Sequence, residues 1–322
     1  MKKILLMVWL IITTFALGGC QVSSVLFLSF QENQGGEGFA LDNHITEGDF
    51  FAEDLVVIPE DFNITKDDEL SSEATLLVNT TNNEIIYADD VYEKLYPASI
   101  TKLLTALVVL KYGDLSDTTT ISYAASHIAE ANAKICGFKE GDVISIEVLL
   151  NSLLVYSGND AGIALAEYVG GSEEAFVEKM NEEAKRIGAV HSNFVNSHGL
   201  HDANQYTTAY DIYLIFNELI QNDTFFSIIN TNSYTAVYTD KDGNELQKAF
   251  KTTNRYLNDE EESLEGLNVI GGKTGTTFNA GNCLVLLCQD EAKNDYIAVI
   301  LKASDNDSLY LQMSHLLSLL NK

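Results

Sequence analysis

Hydrophobic residues recur in runs that predict strands at both ends of the chain and helices between them. Ala74 to Val78 and Glu84 to Ala88 are short apolar runs joined by a polar segment, which indicates a β-hairpin. Cys283 to Cys288 and Tyr296 to Leu301 are two further strand-like runs. Helical patterns cover Ile100 to Leu110, Ile146 to Tyr156, Ala161 to Val169, Glu173 to Ile187 and Asn306 to Leu320. This order predicts an α+β fold in which the terminal strands share one sheet.

Composition and charge narrow the classes of function. The 322 residues are 46% apolar, enough to bury one large core or two small ones. Lys and Arg number 19 against 47 Asp and Glu, which gives a net charge of -28. A field of that sign repels phosphate backbones, so we expect no nucleic-acid partner.

The first twenty residues have the pattern of an export signal. Lys2 and Lys3 precede an apolar run from Ile4 to Leu17 that is too short to span a bilayer comfortably. The run ends in Leu-Gly-Gly before Cys20, which resembles the lipobox of bacterial lipoproteins. That resemblance implies a lipidated Cys20 as the mature N-terminus and attachment to the outer face of the cell membrane. An ordinary signal peptide or an anchor helix is the alternative, and each of them still exports the rest of the chain.

The segment after the signal is acidic and has little periodicity. Residues 21–70 contain twelve acidic side chains and a single basic one, Lys66. This composition predicts a solvated, flexible tether. We therefore predict a signal peptide at 1–20, a tether at 21–70 and a folded domain at 71–322.

One serine has a lysine three residues further along the chain. Ser99 and Lys102 open the first predicted helix just after Pro97, and a spacing of three places both side chains on one helical face. Burial lowers the pKa of a lysine, so a neutral amine could take the proton of the serine hydroxyl. The plainer interpretation is a capping serine with a lysine that extends to solvent.

Two further triplets supply what an acyl-transfer site still needs. Ser157-Gly158-Asn159 lies at a polar break between apolar helices, and Lys273-Thr274-Gly275 lies just before the late strands. Together they offer a hydroxyl to relay a proton, an amide to hold a peptide and a cation to hold a carboxylate.

The three motifs, S-x-x-K, S-x-N and K-T-G in this order, closely resemble those of the penicillin-binding serine D-alanyl-D-alanine carboxypeptidases. The resemblance covers roughly residues 71 to 320. It extends to further stretches, namely Tyr96-Pro97-Ala98-Ser99, Ser157 to Gly171, Asn196 to Leu200, Tyr206 to Ala209 and Gly272 to Thr277. It implies an α+β penicillin-recognising fold with an antiparallel sheet and a helical region. It also implies peptidoglycan stem peptides as substrate and β-lactam antibiotics as inhibitors, with no cofactor and no metal.

The resemblance assigns a role to each motif residue. Ser99 would be the acylated nucleophile and Lys102 its general base. Ser157 would pass the proton toward the leaving D-alanine, and Asn159 would hydrogen-bond the substrate peptide.

The last motif would bind the terminal carboxylate of the substrate and contribute to the oxyanion hole. Lys273 and Thr274 would recognise the terminal carboxylate, while the backbone N–H groups of Ser99 and Thr276 would form the oxyanion hole. Relatives commonly add an arginine near the final helix, and a rough alignment places Leu309 there. Relatives also often carry a further β-rich domain and an amphipathic anchor, so here we expect the Cys20 lipid to provide the anchor.

Two other functions stay open at this stage. A serine β-lactamase shares the three triplets, but one class needs a glutamate in a Glu-x-x-x-Asn pattern, and residues 193–200 contain none. A catalytically inactive lipoprotein that binds peptidoglycan is the second, although every motif residue is intact. A metal role for His198 and His201 lacks a supporting HExxH helix.

Overall fold

The computed structural model describes residues 55–59, 62, 66–131 and 133–321. Its strands are β1 (Ala74–Asn79), β2 (Glu84–Asp89), β3 (Thr118–Thr120), β4 (Val143–Ser145), β5 (Ser233–Thr239), β6 (Glu245–Lys251), β7 (Leu267–Thr277), β8 (Gly281–Asp290) and β9 (Asp295–Ala303). Its α-helices are α1 (Thr101–Tyr112), α2 (Tyr123–Ser126), α3 (Ile146–Asn151), α4 (Asn159–Gly170), α5 (Glu173–Arg186), α6 (Ala209–Ile220), α7 (Asp223–Ile229) and α8 (Asn306–Ser318). A 3₁₀ turn at Ala98–Ile100 leads into α1, a π-helical turn at Ser152–Tyr156 follows α3, and a 3₁₀ turn at Leu319–Asn321 follows α8.

The strands form two antiparallel sheets. The larger sheet has the order β2-β1-β9-β8-β7, so β1 from the start of the domain pairs with β9 from its end. The predicted α+β order, with terminal strands in one sheet, is therefore confirmed. The smaller sheet has the order β3-β4-β5-β6 and lies within the part of the chain expected to be helical. Its β5–β6 hairpin was not predicted.

Side chains of the larger sheet alternate between two hydrophobic clusters. In β8, Cys283 packs in the cluster that contains the helical region, whereas Cys288 packs in the cluster that contains α8. Both thiols are fully buried and free. An odd spacing on a strand places two side chains on opposite faces, which confirms the expectation that these cysteines are small buried hydrophobes. Met313 and Leu316 of α8 are among the residues that cover the second face.

The packed part of the chain begins before Ser71. Val56 and Ile58 are buried in the main cluster, and the Val56 amide donates to the Tyr213 hydroxyl at 2.8 Å. Leu70 is also buried. These contacts differ from the expected tether over 21–70. The apolar run at residues 55–58 is only four residues long and lies in an acidic stretch, so it does not by itself indicate a packed segment.

The signal peptide, Cys20 and most of the acidic segment lie outside the described residues. The proposed boundary at residue 20 remains a prediction. Within the described ranges, no helix has the length and apolar character needed to cross a bilayer.

Candidate active site

Ser99 lies in the 3₁₀ turn that leads into α1, and Lys102 lies in the first turn of that helix. The Lys102 Nζ is 2.9 Å from the Ser99 Oγ. The turn itself is unusual, because Ala98 has a φ of 46° and its carbonyl packs against Gly199. A Cβ on Gly199 would come within 1.9 Å of that oxygen, so the residue must be glycine for the loop to support the serine turn.

Lys102 is completely buried, and polar atoms surround its amine. Asn159 Oδ1 accepts from the Nζ at 2.6 Å, and the His198 carbonyl accepts from it as well. The pKa of Lys102 is lowered to about 7, mainly by burial; Cys136 and Asp160 oppose this effect, and the charge of Lys134 adds a smaller lowering. A neutral amine has two N–H groups and one lone pair. The two carbonyl oxygens match the two donors, which leaves the lone pair for the proton of Ser99.

Ser157 and Lys273 form a second contact in the same cleft. Ser157 follows the π-helical turn in a left-handed conformation with a φ of 72°. The Lys273 Nζ donates to the Ser157 Oγ at 2.9 Å and to the Thr274 carbonyl at 2.8 Å. Burial holds the pKa of Lys273 well below its ordinary value, and the charges of Lys102 and Lys134 add to the effect.

Strand β7 forms the wall opposite Asn159. A Cβ on Gly275 would lie 3.0 Å from the Ser99 amide nitrogen, so the bare backbone of the strand packs directly on the serine turn. This contact brings the amide of Ser99 close to the strand that continues into Thr276. The Thr274 Oγ1 is 2.5 Å from the Thr253 Oγ1, and the Thr276 Oγ1 donates to Asn282 Oδ1 at 3.1 Å.

These walls enclose an open cleft of about 760 Å³. Its lining includes six residues of the three motifs or next to them, namely Ser99, Ser157, Asn159, Thr274, Gly275 and Thr276. Lys102 and Lys273 are buried beneath this surface, and their amines contact Ser99 and Ser157, which line it. The structure thus brings together all seven motif residues that the sequence singled out.

Leu309, at the position where the rough alignment places the usual arginine, does not line the cleft. Leu309 is 1% exposed and packs in the cluster between α8 and the sheet, so its side chain faces away from the cleft. The residue of this region that does line the cleft is Asn306. The side-chain oxygen of Asn306 accepts a hydrogen bond of 2.7 Å from the Arg255 guanidinium. The same guanidinium pairs with Asp307 at 2.8 Å.

Several residues near the cleft had no predicted role there. The Asp160 carboxylate accepts from the amides of Cys136 and Gly137 at 2.9 and 2.8 Å, so it fixes the adjoining segment in addition to its own helix. Lys134 of that segment and Phe278 of the β7–β8 turn line the cleft. Nothing in the sequence marks these two residues, because each lies in a loop without a motif.

The two histidines of the 198–201 loop have other partners than a metal. The His198 Nδ1 accepts from the Leu200 amide at 3.1 Å, and the His201 Nε2 lies 2.6 Å from the Asn279 amide. Burial, with a smaller contribution from the charge of Lys102, lowers the pKa of His198 to about 3.

Comparison with known proteins identifies the family and the fold. The family model described as D-alanyl-D-alanine carboxypeptidase, peptidase S11, matches residues 61–305. The chain belongs to the D-alanyl-D-alanine carboxypeptidase family. Its solved relatives include the Streptomyces K15 DD-transpeptidase, with a TM-score of 0.72 and 26% identity over 80% of this chain and 98% of that one. The fold is therefore that of the penicillin-recognising DD-peptidases.

Curated members of the family are longer than the matched region. The D-alanyl-D-alanine carboxypeptidase DacF of Bacillus subtilis (strain 168) is 30% identical over 77% of this chain and 62% of its own length. For DacC of Escherichia coli (strain K12) the identity is 32% over 67% of this chain and 53% of its own length. This chain therefore spans a little over half the length of these family members.

Proposed function

We propose that this protein is a serine D-alanyl-D-alanine carboxypeptidase that removes the terminal D-alanine of peptidoglycan stem pentapeptides through an acyl-enzyme. The observation that carries the proposal is the 2.9 Å contact between Ser99 Oγ and the buried Lys102 amine, whose pKa is lowered to about 7. An amine that is largely neutral at physiological pH is suited to act as the base for a serine nucleophile.

Acylation begins when Lys102 takes the Ser99 proton and the Ser99 oxygen attacks the carbonyl carbon between the two D-alanines. The backbone N–H groups of Ser99 and Thr276 stabilise the negative charge on the carbonyl oxygen. The proton reaches the nitrogen of the leaving D-alanine through Ser157, and the C–N bond breaks. Water then attacks the ester and restores Ser99.

Substrate binding uses the two walls of the cleft. Asn159, whose Oδ1 already accepts from Lys102, presents its amide N–H to the peptide on the acyl side of the scissile bond. Lys273 and Thr274 on β7 bind the terminal carboxylate, which needs charged or polar donors. Because Lys273 contacts Ser157, the side chain that binds the carboxylate lies next to the side chain that passes the proton to the leaving group.

Intact-mass measurement of the full-length protein after penicillin treatment tests the nucleophile. We expect one penicilloyl adduct on Ser99 that persists for minutes, and Ser99→Ala should abolish it, whereas Ser116→Ala on an exposed loop should not. A soluble pentapeptide should lose one D-alanine in the same preparation. Rapid hydrolysis of the drug without an adduct would favour a β-lactamase, and neither adduct nor D-alanine release would favour an inactive peptidoglycan-binding lipoprotein.

Export and lipid anchoring form a separate part of the proposal. The apolar run that ends in Leu-Gly-Gly before Cys20 supports a lipidated N-terminus on the outer face of the membrane. Labelled fatty acid should be incorporated into the protein in cells and lost in Cys20→Ala. Retention of the label in that variant would contradict the lipobox.

A further inference from the structure

Lys134 lines the cleft beside the motif residues, and the proposed reaction gives it no task. It lies in the segment between α2 and β4, two residues before Cys136. The backbone N–H of Asn159 donates to the backbone carbonyl of Lys134 at 2.8 Å. Lys134 therefore stands next to the residue that holds the substrate peptide, on the wall that faces β7.

The backbone around Lys134 is held on several sides. The Asp160 carboxylate accepts from the amides of Cys136 and Gly137, and the Lys248 Nζ donates to the carbonyls of the same two residues. Such fixation reduces the entropy lost when a ligand binds, because only the side chain of Lys134 remains to be ordered.

The ammonium group of Lys134 has no anionic partner within the described part of the chain. Its Nζ lies 4.5 Å from the centroid of the Tyr156 ring, a cation–π contact, and it makes no ion pair with a described carboxylate. The one acidic residue among the described residues of the cleft lining is Glu130. Although the protein has a net charge of -28, the ammonium group of Lys134 attracts an anionic ligand locally.

We propose that Lys134 is a specificity-determining residue that binds a carboxylate on the acyl side of the scissile bond, carried by the side chain of the residue before the two D-alanines. The inference rests on the proposed function. Lys273 and Thr274 on β7 take the terminal carboxylate, so a second cation beside Asn159 on the facing wall is placed for a second carboxylate. The proposed substrates are stem peptides in which that residue carries a free carboxylate.

A matched pair of peptides tests the assignment. Both peptides end in D-Ala-D-Ala. In one, the side chain of the residue before the two D-alanines carries a free carboxylate, as in meso-diaminopimelate; in the other, that carboxylate is replaced by its amide. Dissociation constants are measured by calorimetry on the full-length Ser99→Ala protein, with and without Lys134→Gln, Lys134→Arg or Lys139→Gln. Lys139 is an exposed lysine five residues further on that does not line the cleft, so its variant controls for net charge.

We expect the acidic peptide to bind about three to fivefold more tightly than its amide, as for one solvent-accessible ion pair. Lys134→Gln should reduce this ratio to about one, whereas Lys134→Arg and Lys139→Gln should retain it. High salt should reduce the ratio in the protein that retains Lys134.

Equal binding of the two peptides with Lys134 present, or an unchanged ratio in Lys134→Gln, would refute the assignment. These outcomes are independent of turnover. A protein with intact Ser99 that releases no D-alanine from either peptide would refute the proposed function, while the binding ratio in the Ser99→Ala protein would still decide the role of Lys134.

Discussion

Acylation of Ser99 by penicillin is expected to depend on the protonation of Lys102. Only the neutral amine can take the serine proton, and burial lowers the pKa of Lys102 from 10.5 to about 7. At pH 7 about half of the molecules then hold a neutral amine, against about 0.03% for a solvated lysine. Burial thus raises the reactive fraction at neutral pH by about a thousandfold, which corresponds to roughly 4 kcal/mol.

The pH dependence of acylation measures this effect directly. Second-order rate constants for a fluorescent penicillin are determined with the full-length protein from pH 5 to pH 9. Below the lowered pKa the reactive fraction falls tenfold with each pH unit, so the rate at pH 5 should be about a hundredfold below the plateau reached above pH 7. Circular dichroism at each pH establishes that the protein stays folded.

A permanently charged side chain provides the matched control. Lys102→Arg keeps the charge but cannot be deprotonated at these pH values, so it should abolish acylation across the whole range. Lys139→Arg, on the exposed surface, should leave the pH profile unchanged. A rate that is flat from pH 5 to pH 9 with Lys102 intact would show that another group takes the proton.

Three further predictions concern packing, charge and substrate binding. Gly158→Ala should cost about 1–3 kcal/mol in urea unfolding, because its Cβ would lie 2.2 Å from the Cys136 Sγ, and Cys136→Ala should recover much of the loss. Glu183→Gln should lower the free energy of unfolding at pH 7 by about 1–3 kcal/mol, because Lys111 and Arg186 lose the buried carboxylate with which they pair. Although burial raises the Glu183 pKa, hydrogen bonds lower it to about 2 overall, so the difference from the unsubstituted protein should be complete above pH 4.5 and shrink toward pH 2; a constant difference would contradict this. Lys273→Ala should lower D-alanine release at least tenfold, about 1.4 kcal/mol, and an unaltered rate would mean that the carboxylate is held elsewhere.

Strands with continuous apolar runs were predicted well, whereas others could not be recognised from their residues. The runs at Ala74 and Cys283 correspond to β1 and β8, because each side chain faces one of two apolar clusters. Strand β7 carries the K-T-G motif inside it and not before it. Its glycines and threonines interrupt the apolar pattern, and the glycines are required by close approach to neighbouring backbone instead of by burial of side chains.

The hairpin of β5 and β6 illustrates a second reason for failure. Its exposed positions bear polar residues such as Lys251, and its buried positions are few, so the pattern resembles a surface loop. Nor could the sequence show that Leu309 faces away from the cleft. Alignment by position along the chain does not determine which face of a helix a residue occupies.

The sequence alone determined the family motifs, the α+β order and the pairing of Ser99 with Lys102. These follow from spacing within one element, where three residues along a helix or two along a strand fix which side chains are neighbours. Tertiary structure decided the rest of the site: the deep burial that lowers the Lys102 pKa, the contact of Lys273 with Ser157, and the position of Lys134. Those properties depend on segments far apart in the chain, and their approach is set by how the sheet and helices pack together.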